Sequence, residues 1–460
     1  MNKTILLLGI LLFNASLVRS QWTQFASGNT NGTVVDFELF NDELYAAGLF
    51  TQINGSSANS ISRWNGSSWQ TVAGGFPDGV HNMTVIDDKL YTAVYEMQSD
   101  SNWIYYLSGN TWQKLGKGFY LDGASPSQFY TCSMYDVQKY NNDIYACGEF
   151  NKSGTQVIKG IAKYNGTDWQ GLGTGLSVPF QGQVIYPHQI LINNGKLYVC
   201  GNFKNAGGVT VNGIAVWDGS TWSALGAGFN SVVYAMEFYN NELYAGGDFT
   251  LTGTDSIKAI AKWNGSSWVS PGFKLNYVGN ANGGYLFVHT LKVIDNKLFV
   301  TGGFDRVKPD GQPEGGAGSI ISYDGSIIDT LKGGANNDVE GIIKYKQKIL
   351  IGGFFSKVGG NINASKIALY DPSGVYINNI SSVSGSEISV YPNPFRNEFS
   401  ISGYPDRSVF KVYDILGRMI LSGKLSGSKI KIDNLLKGMY FLIIEKDGIQ
   451  VKNYSIIKQQ

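Results

Sequence analysis

The chain has only three histidines among its 460 residues, and their spacing is regular. His81, His188 and His289 each lie nine residues before one copy of a short repeated motif. An imidazole can donate or accept a hydrogen bond and can ligate a metal, so equivalent histidines point to a shared ligand site. The other copies carry Val35, Tyr135, Tyr234 and Glu340 at this position.

Two interpretations of this position stay open. If the strands alternate strictly, the histidines share an apolar face with residues such as Met83 and Ile190, and they pack between neighbouring units. In the other interpretation, the position rings one mouth of a central channel and grips a ligand, a peptide tip or an ion. The residues of that ring are His81, Tyr135, His188, Tyr234, His289 and Glu340. No Cys–His spacing fits a metal site, and the sequence predicts no metal and no other cofactor.

The elements that must position this ring come from the repeat itself. The clearest copies read LYAAGLF from Leu44, IYACGEF from Ile144, LYVCGNF from Leu197 and LYAGGDF from Leu243. Looser copies begin at Leu298 and Ile349, and a degenerate copy, LYTAVYE, begins at Leu90. A period near 50 residues, rich in glycine and aromatic residues, is typical of a β-propeller. We predict seven blades, or six if the degenerate copy forms none.

Each repeat shows four strand signals, with Asn-Gly or Asp-Gly marking the turn between the third and fourth strands. A tryptophan recurs at the fourth strand, and its place in almost every repeat favours packing between blades over a carbohydrate platform. The strand at Trp22 precedes the first complete repeat. We therefore expect it to close the ring by pairing beside the strand that ends at Tyr370.

The composition and the N-terminus restrict the class of protein. A formal net charge of +1 gives no reason to expect nucleic acid as a partner. Residues 1–20 read as a signal peptide: Lys3 precedes an apolar stretch, Ile5–Phe13, which is too short to span a bilayer. Cleavage is predicted between Ser20 and Gln21. We expect no transmembrane span in the rest of the chain.

Catalytic and redox signals are sparse. Cys147 and Cys200 share one repeat position, just before the motif glycine, which indicates a small buried packing residue. Glu149 and Asp248 share the position just after that glycine, but other copies place Leu, Asn or Gly there, so no acid–base pair is predicted. No nucleophile elbow and no phosphate-binding glycine loop is found.

The composition changes near the C-terminus. The repeats occupy residues 21–380, a Ser/Gly-rich linker covers 381–387, and 388–460 form a second domain. We predict seven short strands in this second domain, a pattern that fits a small β-sandwich. The predicted strands are Ile388–Tyr391, Glu398–Ser402, Val409–Tyr413, Met419–Ser422, Lys429–Ile432, Met439–Glu445 and Gln450–Ile456.

Several short motifs in this domain follow one another in a recognisable order. They comprise Pro392, Asn393 and Pro394, then Tyr413 and Asp414, Gly417 and Arg418, and Gly438 and Tyr440. This segment resembles the C-terminal sorting domain of the type IX secretion system of Bacteroidota. The resemblance implies an immunoglobulin-like sandwich that the secretion machinery recognises, and cleavage after export. It also implies release of the protein or attachment to the cell surface.

The repeats are similar, in a broad sense, to kelch and galactose-oxidase-like propellers, but the ligands of a copper oxidase are missing. Together these features predict an all-β protein exported through the periplasm, a seven-bladed β-propeller followed by an immunoglobulin-like β-sandwich. Its expected role is a secreted or cell-surface, non-catalytic binding module for a glycan or a protein. An enzyme acting on extracellular polysaccharide and a structural surface protein remain alternatives.

Overall fold

The computed structural model describes residues 21–95, 101–121, 133–178, 185–279, 285–372, 388–404, 406–414, 419–425, 429–431, 435–446 and 449–459. The described residues are almost entirely strands and turns, and their one helical element is the 3-10 turn Leu331–Gly333. The chain separates into two compact units, of which one is Trp22–Tyr370 and the other contains Asp371–Gln460. The predicted signal peptide and Ser20 lie outside the described residues.

Seven four-stranded antiparallel sheets make up the repeat unit, and we call the strands of each sheet A to D in their spatial order. In the order A, B, C, D, sheet 1 is Thr33–Phe40, Glu43–Leu49, Ile61–Trp64 and Trp69–Thr71; sheet 2 is Gly79–Ile86, Lys89–Tyr95, Ile104–Ser108 and Thr111–Lys114; and sheet 3 is Met134–Tyr140, Asp143–Gly148, Ile161–Tyr164 and Trp169–Gly171. Sheet 4 is Tyr186–Asn193, Lys196–Asn202, Ile214–Trp217 and Trp222–Ala224, and sheet 5 is Val233–Tyr239, Glu242–Gly247, Ile260–Trp263 and Trp268–Val269. Sheet 6 is Phe287–Ile294, Lys297–Gly303, Ile320–Tyr323 and Ile328–Asp329, and sheet 7 is Val339–Tyr345, Lys348–Gly353, Lys366–Tyr370 and Trp22–Asn29.

The first and last strands of this unit share sheet 7. Trp22 pairs with Tyr370, and their ring centroids are 4.9 Å apart. The A strands of consecutive sheets contact one another, and the A strand of sheet 7 contacts that of sheet 1, so the A strands form a closed ring. The predicted closure is confirmed. The degenerate second copy also forms a complete sheet.

Additional short strands lie at the end of the repeat unit where the A strands begin. Twelve of the short strands form six hairpins between strands B and C. The other three lie in segments that lead into an A strand, and each pairs with the B–C hairpin of the same sheet. The short strands are Gln52–Ile53, Ser56–Ser57, Phe119–Tyr120, Lys152–Ser153, Gln156–Val157, Leu176–Ser177, Asn205–Ala206, Val209–Thr210, Leu251–Thr252, Asp255–Ser256, Phe273–Asn276, Arg306–Pro309, Gly315–Gly316, Lys357–Val358 and Ile362–Asn363.

Five of the six D-strand tryptophans link their sheet to the preceding one by a hydrogen bond. The indole nitrogen of the sixth, Trp69, is buried without a partner among the described residues, and sheet 6 carries Ile328 instead. In the other five, the indole N–H donates to the carbonyl that follows strand D of the preceding sheet, because a buried indole needs an acceptor. The pairs are Trp22 with Leu331 (2.6 Å), Trp112 with Val72 (3.2 Å), Trp169 with Leu115 (3.1 Å), Trp222 with Leu172 (3.2 Å) and Trp268 with Leu225 (2.9 Å). Packing between sheets, as predicted, is the role of these side chains.

The C-terminal unit consists of two antiparallel sheets around one core. The strands Ser389–Tyr391, Glu398–Ser402 and Lys429–Lys431 form one sheet. The other sheet contains Met419–Lys424, Ser408–Tyr413, Gly438–Lys446 and Ile449–Lys458, in that spatial order. The core residues alternate along these strands, for example Phe399 and Ile401 in one sheet and Leu442 and Ile444 in the other. All seven predicted strands are present.

Candidate functional site: the central channel

Every A strand carries a β-bulge at the position of the three histidines. In sheet 4, Pro187 pairs with Gly201 and Gln189 pairs with Cys200, so His188 is the extra residue. The bulged residues of the seven sheets are Val35, His81, Tyr135, His188, Tyr234, His289 and Glu340. A bulge re-aims a side chain and interrupts the two-residue period. Strict alternation, which grouped the histidines with the apolar face, is therefore the wrong assumption at this position.

The motif glycine explains how the bulge fits. Gly148 stands opposite the bulge of sheet 3, where Glu149 N donates to Ser133 O at 2.7 Å and holds that carbonyl close. A Cβ on Gly148 would lie 2.4 Å from Ser133 O. The equivalent glycines 48, 201, 247, 302 and 353 would place a Cβ 2.0 to 2.3 Å from a carbonyl of strand A or its leading residue. Sheet 2 keeps its bulge with Val94 at this place, so glycine favours the bulge but is not indispensable.

All seven bulged residues line one cavity of about 510 Å³ inside the ring of A strands. Each is half-buried. The six polar or aromatic residues predicted to ring a channel mouth are thus brought together. Buried neighbours such as Met83, Ile190 and Leu291 are 3%, 1% and 2% exposed. The bulge therefore separates the ring residues from the hydrophobic core that lies beside them.

Five of these residues form a continuous series of alternating imidazole and phenol rings. The centroid distances are 5.0 Å from His81 to Tyr135, 4.9 Å from Tyr135 to His188 and 4.9 Å from His188 to Tyr234. Tyr234 and His289 stack at 6.1 Å with an interplanar angle of 15°. The next sheet contributes Glu340, whose pKa is raised by burial and lowered in part by His289. Val35 completes the ring as its one apolar member.

Burial keeps two histidines of the ring, His81 and His188, neutral. It lowers the pKa of His81 to about 4 and that of His188 to about 3, and repulsion from the other histidines adds to this effect. Both imidazoles are therefore uncharged at neutral pH. A neutral imidazole offers one donor and one acceptor, which suits a polar ligand.

Carboxylates stand behind the two ring tyrosines. The hydroxyl of Tyr135 donates to Glu149 Oε2 at 3.5 Å, and that of Tyr234 donates to Asp248 Oδ2 at 3.4 Å. Burial raises the pKa of Glu149 to about 7, against the opposing hydrogen bonds from Ser133, Tyr186 and Tyr135. The sequence assigned Glu149 and Asp248 no role in the ring. The one feature of the sequence that could have indicated this role is their position, because each directly follows the motif glycine that faces the bulge.

A second layer of polar side chains joins adjacent sheets just inside the ring. Asp36 Oδ2 accepts a hydrogen bond from Met83 N, and Asp136 Oδ2 accepts one from Ile190 N, both at 2.7 Å. Burial raises the pKa of Asp36 to about 8 and that of Asp136 to about 6. Lys292, three residues after His289, also lines the cavity and lowers the pKa of both carboxyls in part. This layer stabilises the contacts between adjacent sheets.

The residues that the structure describes include no group of three or more His, Cys, Asp or Glu side chains that could hold a metal. Cys147 and Cys200 are free and fully buried, in agreement with the packing role predicted for them. Burial raises the pKa of both thiols. They have no part in the channel site.

Several sorting-motif residues of the C-terminal unit lie at or beside its last two strands, Gly438–Lys446 and Ile449–Lys458. Asn393 Oδ1 accepts a hydrogen bond from Ile457 N at 2.9 Å, and Lys458 Nζ donates to Asn397 Oδ1 at 3.0 Å. Pro392 and Pro394 flank Asn393, Gly438 begins the central strand, and Tyr440 is buried. Tyr413 and Asp414 end a neighbouring strand of the same sheet. Gly417 and Arg418 lie outside the described residues. The carbonyl of Gln21, the residue after the predicted cleavage site, accepts a hydrogen bond from Asp371 N.

Comparison with known proteins identifies the C-terminal unit. Residues 389–458 match the family model described as the secretion system C-terminal sorting domain. None of the curated proteins matches the chain.

Solved structures resemble the chain at low identity. PorZ, an essential bacterial surface component of the type IX secretion system of Porphyromonas gingivalis, is 15% identical with a TM-score of 0.46, over 94% of this chain and 60% of PorZ. The extracellular domain of the two-component system BT3049 of B. thetaiotaomicron is 8% identical with a TM-score of 0.46, over 96% of this chain and 57% of that one. The WD40 β-propeller domain of Doa1 is 10% identical with a TM-score of 0.34, over 61% and 93%. The chain spans less than two thirds of the length of the first two.

The described residues contain no helix that is long and apolar enough to cross a membrane. The fold of the described residues is all-β. The C-terminal unit is a type IX secretion sorting domain, which implies interaction with the secretion machinery and export of this protein to the cell surface or secretion.

Proposed function

We propose that this protein is an exported, kelch-like seven-bladed β-propeller of a Bacteroidota species that binds a glycan or a protein at the mouth of its central channel without transforming it. The seven sheets are its blades, and the C-terminal unit is an immunoglobulin-like sandwich that serves as the secretion signal. We expect the cut that separates them in the Ser/Gly-rich linker predicted at residues 381–387, which lies outside the described residues, because polar linkers are common sites of proteolysis.

The observation that carries this proposal is the set of bulges. Seven sheets each re-aim one residue into the same cavity, and six of these residues are His, Tyr or Glu. Core packing alone favours apolar side chains at such sites, and polar groups that converge on one concave surface support ligand binding. The short hairpins around the same end of the channel supply a variable rim on a rigid ring.

The test is a binding screen of the purified mature protein against a glycan array and against extracted cell-surface proteins. His188→Ala is the channel variant. The matched control is Ile327→Ala, at a residue that is 67% exposed in a turn between strands C and D, at the opposite end of the sheets. Binding that His188→Ala abolishes and Ile327→Ala preserves supports the proposal. Binding that both variants retain places the ligand elsewhere and refutes the channel as the site.

One observation favours the alternative of an enzyme that acts on polysaccharide. Burial raises the pKa of Glu149 to about 7, the range in which a carboxyl can serve as a general acid. Glycoside hydrolysis ordinarily uses two carboxyls about 5 to 9.5 Å apart, however, and the sequence predicts no such acid–base pair. Polysaccharide cleavage by the purified protein that is lost in Glu149→Gln would establish the enzyme, and we expect no cleavage by either form.

A further inference from the structure

One sector of the channel mouth, formed by sheets 3 to 5, combines aromatic rings with carboxylates. Tyr135, His188 and Tyr234 follow one another with centroid distances of 4.9 Å. Their interplanar angles of 44° and 80° set the rings as adjoining walls rather than as a stack. Glu149 and Asp248 accept hydrogen bonds from the two tyrosines that flank the histidine.

The two carboxyl groups lack a cationic partner within the part of the chain that the structure describes. Neither Glu149 nor Asp248 forms an ion pair within the described residues. Asp248 Oδ1 is buried and has no hydrogen-bond partner among those residues. A buried acceptor that lacks a donor costs free energy, so the hydrogen bonding of this site is incomplete at Asp248, whereas Glu149 accepts hydrogen bonds from Ser133, Tyr186 and Tyr135. A ligand that supplies N–H donors and positive charge would complete it.

The cations that approach this channel lie elsewhere. Lys366 lies over the ring of Phe354 at 4.9 Å and lowers the pKa of Glu340 in part, on the side formed by sheet 7. Lys292 lies deeper, three residues further along its A strand than the ring. The histidine in the middle of the sector is neutral, because burial keeps its pKa far below 7. Glu149 is only partly ionised at neutral pH, because burial raises its pKa to about 7, so the sector of sheets 3 to 5 is aromatic and partly acidic.

The sector also has an aromatic path to solvent. Tyr285 is 60% exposed, and its ring lies 5.1 Å from that of Phe287. Phe287 in turn lies 6.3 Å from Tyr234. An extended side chain entering along these rings would keep contact with aromatic surface until its end reached the carboxylates. A lysine or arginine side chain fits this arrangement, because its methylene stem can pack on the aromatic rings while its charged end reaches the carboxylates.

We propose that this sector binds the alkylammonium or guanidinium end of a basic side chain, so that the ligand is a protein presenting lysine or arginine to the channel mouth. Ring faces attract a cation, and the carboxylates accept its N–H donors. This inference rests on the proposed binding function and selects a protein ligand over a glycan. Arginine is the better fit, because its planar group combines stacking on rings with several donors in a fixed geometry.

The experiment measures binding of Nα-acetyl-arginine amide and Nα-acetyl-lysine amide to the full mature protein by titration calorimetry. The neutral isosteres are Nα-acetyl-citrulline amide and Nα,Nε-diacetyl-lysine amide. We expect each cation to bind at least tenfold more tightly than its isostere. We also expect Asp248→Asn and Glu149→Gln each to weaken arginine binding about fivefold to tenfold.

The matched control is Asp255→Asn, at an exposed carboxylate in the B–C hairpin of the sheet that carries Asp248. Near-ultraviolet circular dichroism confirms that each variant is folded. Equal binding of cations and isosteres, or equal effects of Asp248→Asn and Asp255→Asn, overturns the inference. If a glycan binds and His188→Ala abolishes that binding, the cation site is wrong while the proposed function stands. If neither the cations nor any macromolecule bind, both proposals fail.

Discussion

The substitution Gly148→Ala isolates the contact that lets a bulge form. Gly148 needs no left-handed backbone, so the added Cβ acts through space alone. That atom would stand 2.4 Å from Ser133 O and 3.0 Å from Met134 Cα. An ordinary contact requires about 3.4 Å or more, so the strands must separate by about 1 Å. Overpacking of this kind costs about 1–3 kcal/mol, and weakened backbone hydrogen bonds add about 1 kcal/mol.

We therefore expect Gly148→Ala to lower the free energy of unfolding by about 2–4 kcal/mol, measured by guanidinium denaturation with tryptophan fluorescence. It should not abolish folding, because sheet 2 accommodates Val94 at the equivalent position. The control is Gly171→Ala in the same sheet, where the nearest atom to the new Cβ is 3.8 Å away. That change should stay within about 0.5 kcal/mol of the parent.

The same variant tests the link between the bulge and the ring. If the strands re-pair without the bulge, Tyr135 leaves the cavity, and binding of the arginine probe should weaken with stability. Equal midpoints for Gly148→Ala and Gly171→Ala would refute the reasoning, since the close approach of the new Cβ to Ser133 O would then carry no energetic weight.

Three further predictions concern the pairing of Trp22 that closes the ring of sheets and the buried titratable groups Asp36 and His188. Trp22→Ala should cost about 3–5 kcal/mol by denaturation, because the side chain is fully buried and bonded to Leu331 O, and it should cost more than Trp112→Ala at a half-buried site. The pKa of Asp36 is raised to about 8 in the folded protein from an ordinary value of 3.8, so the native state binds one more proton than the unfolded state between these pH values. The free energy of unfolding therefore falls as pH rises from about 4 to 8, by up to about 1.4 kcal/mol per pH unit. Asp36→Asn should remove this dependence on pH, and an unchanged slope would contradict the assignment. The pKa of His188 is lowered from 6.5 to about 3, so on acidification the unfolded chain binds a proton before the folded protein does, and the free energy of unfolding falls as pH decreases below 6.5. His188→Gln should make the free energy of unfolding less dependent on pH in this range. Equal acid denaturation curves for the variant and the parent would argue against a neutral imidazole at this site.

Local spacing was enough to locate the ring but not to orient it. His81, His188 and His289 stand at a fixed distance from the motif, and this periodicity placed them at one level of the fold. A period of two then put them on the apolar face, because nothing in one strand announces an extra residue. The bulge becomes visible only in the pairing with strand B. Its signal in the sequence is the glycine on the opposite strand, which by itself looks like any other motif residue.

The partners of the ring were harder to predict. Glu149 and Asp248 look like unrelated occupants of a variable position, since the distance between strands is invisible in a linear pattern. Pairing brings each within hydrogen-bonding distance of a tyrosine on the neighbouring strand. Asp36 and Asp136 lie one residue after the bulge and belong to no motif. Their hydrogen bonds to the next sheet depend on the contact between neighbouring sheets, which a linear pattern does not show.

Repetition, turn residues and the order of motifs near the C-terminus were sufficient to derive an all-β chain of fifty-residue units, the pairing of Trp22 with Tyr370, and the sorting domain. Those features follow from local periodicity and from residues that must find partners to leave no open sheet edge. Tertiary structure alone decided which way the ring residues point, which carboxylates stand beside them and which remain without a cation. Orientation and charge environment arise where strands distant in sequence meet, and no single segment contains that geometry.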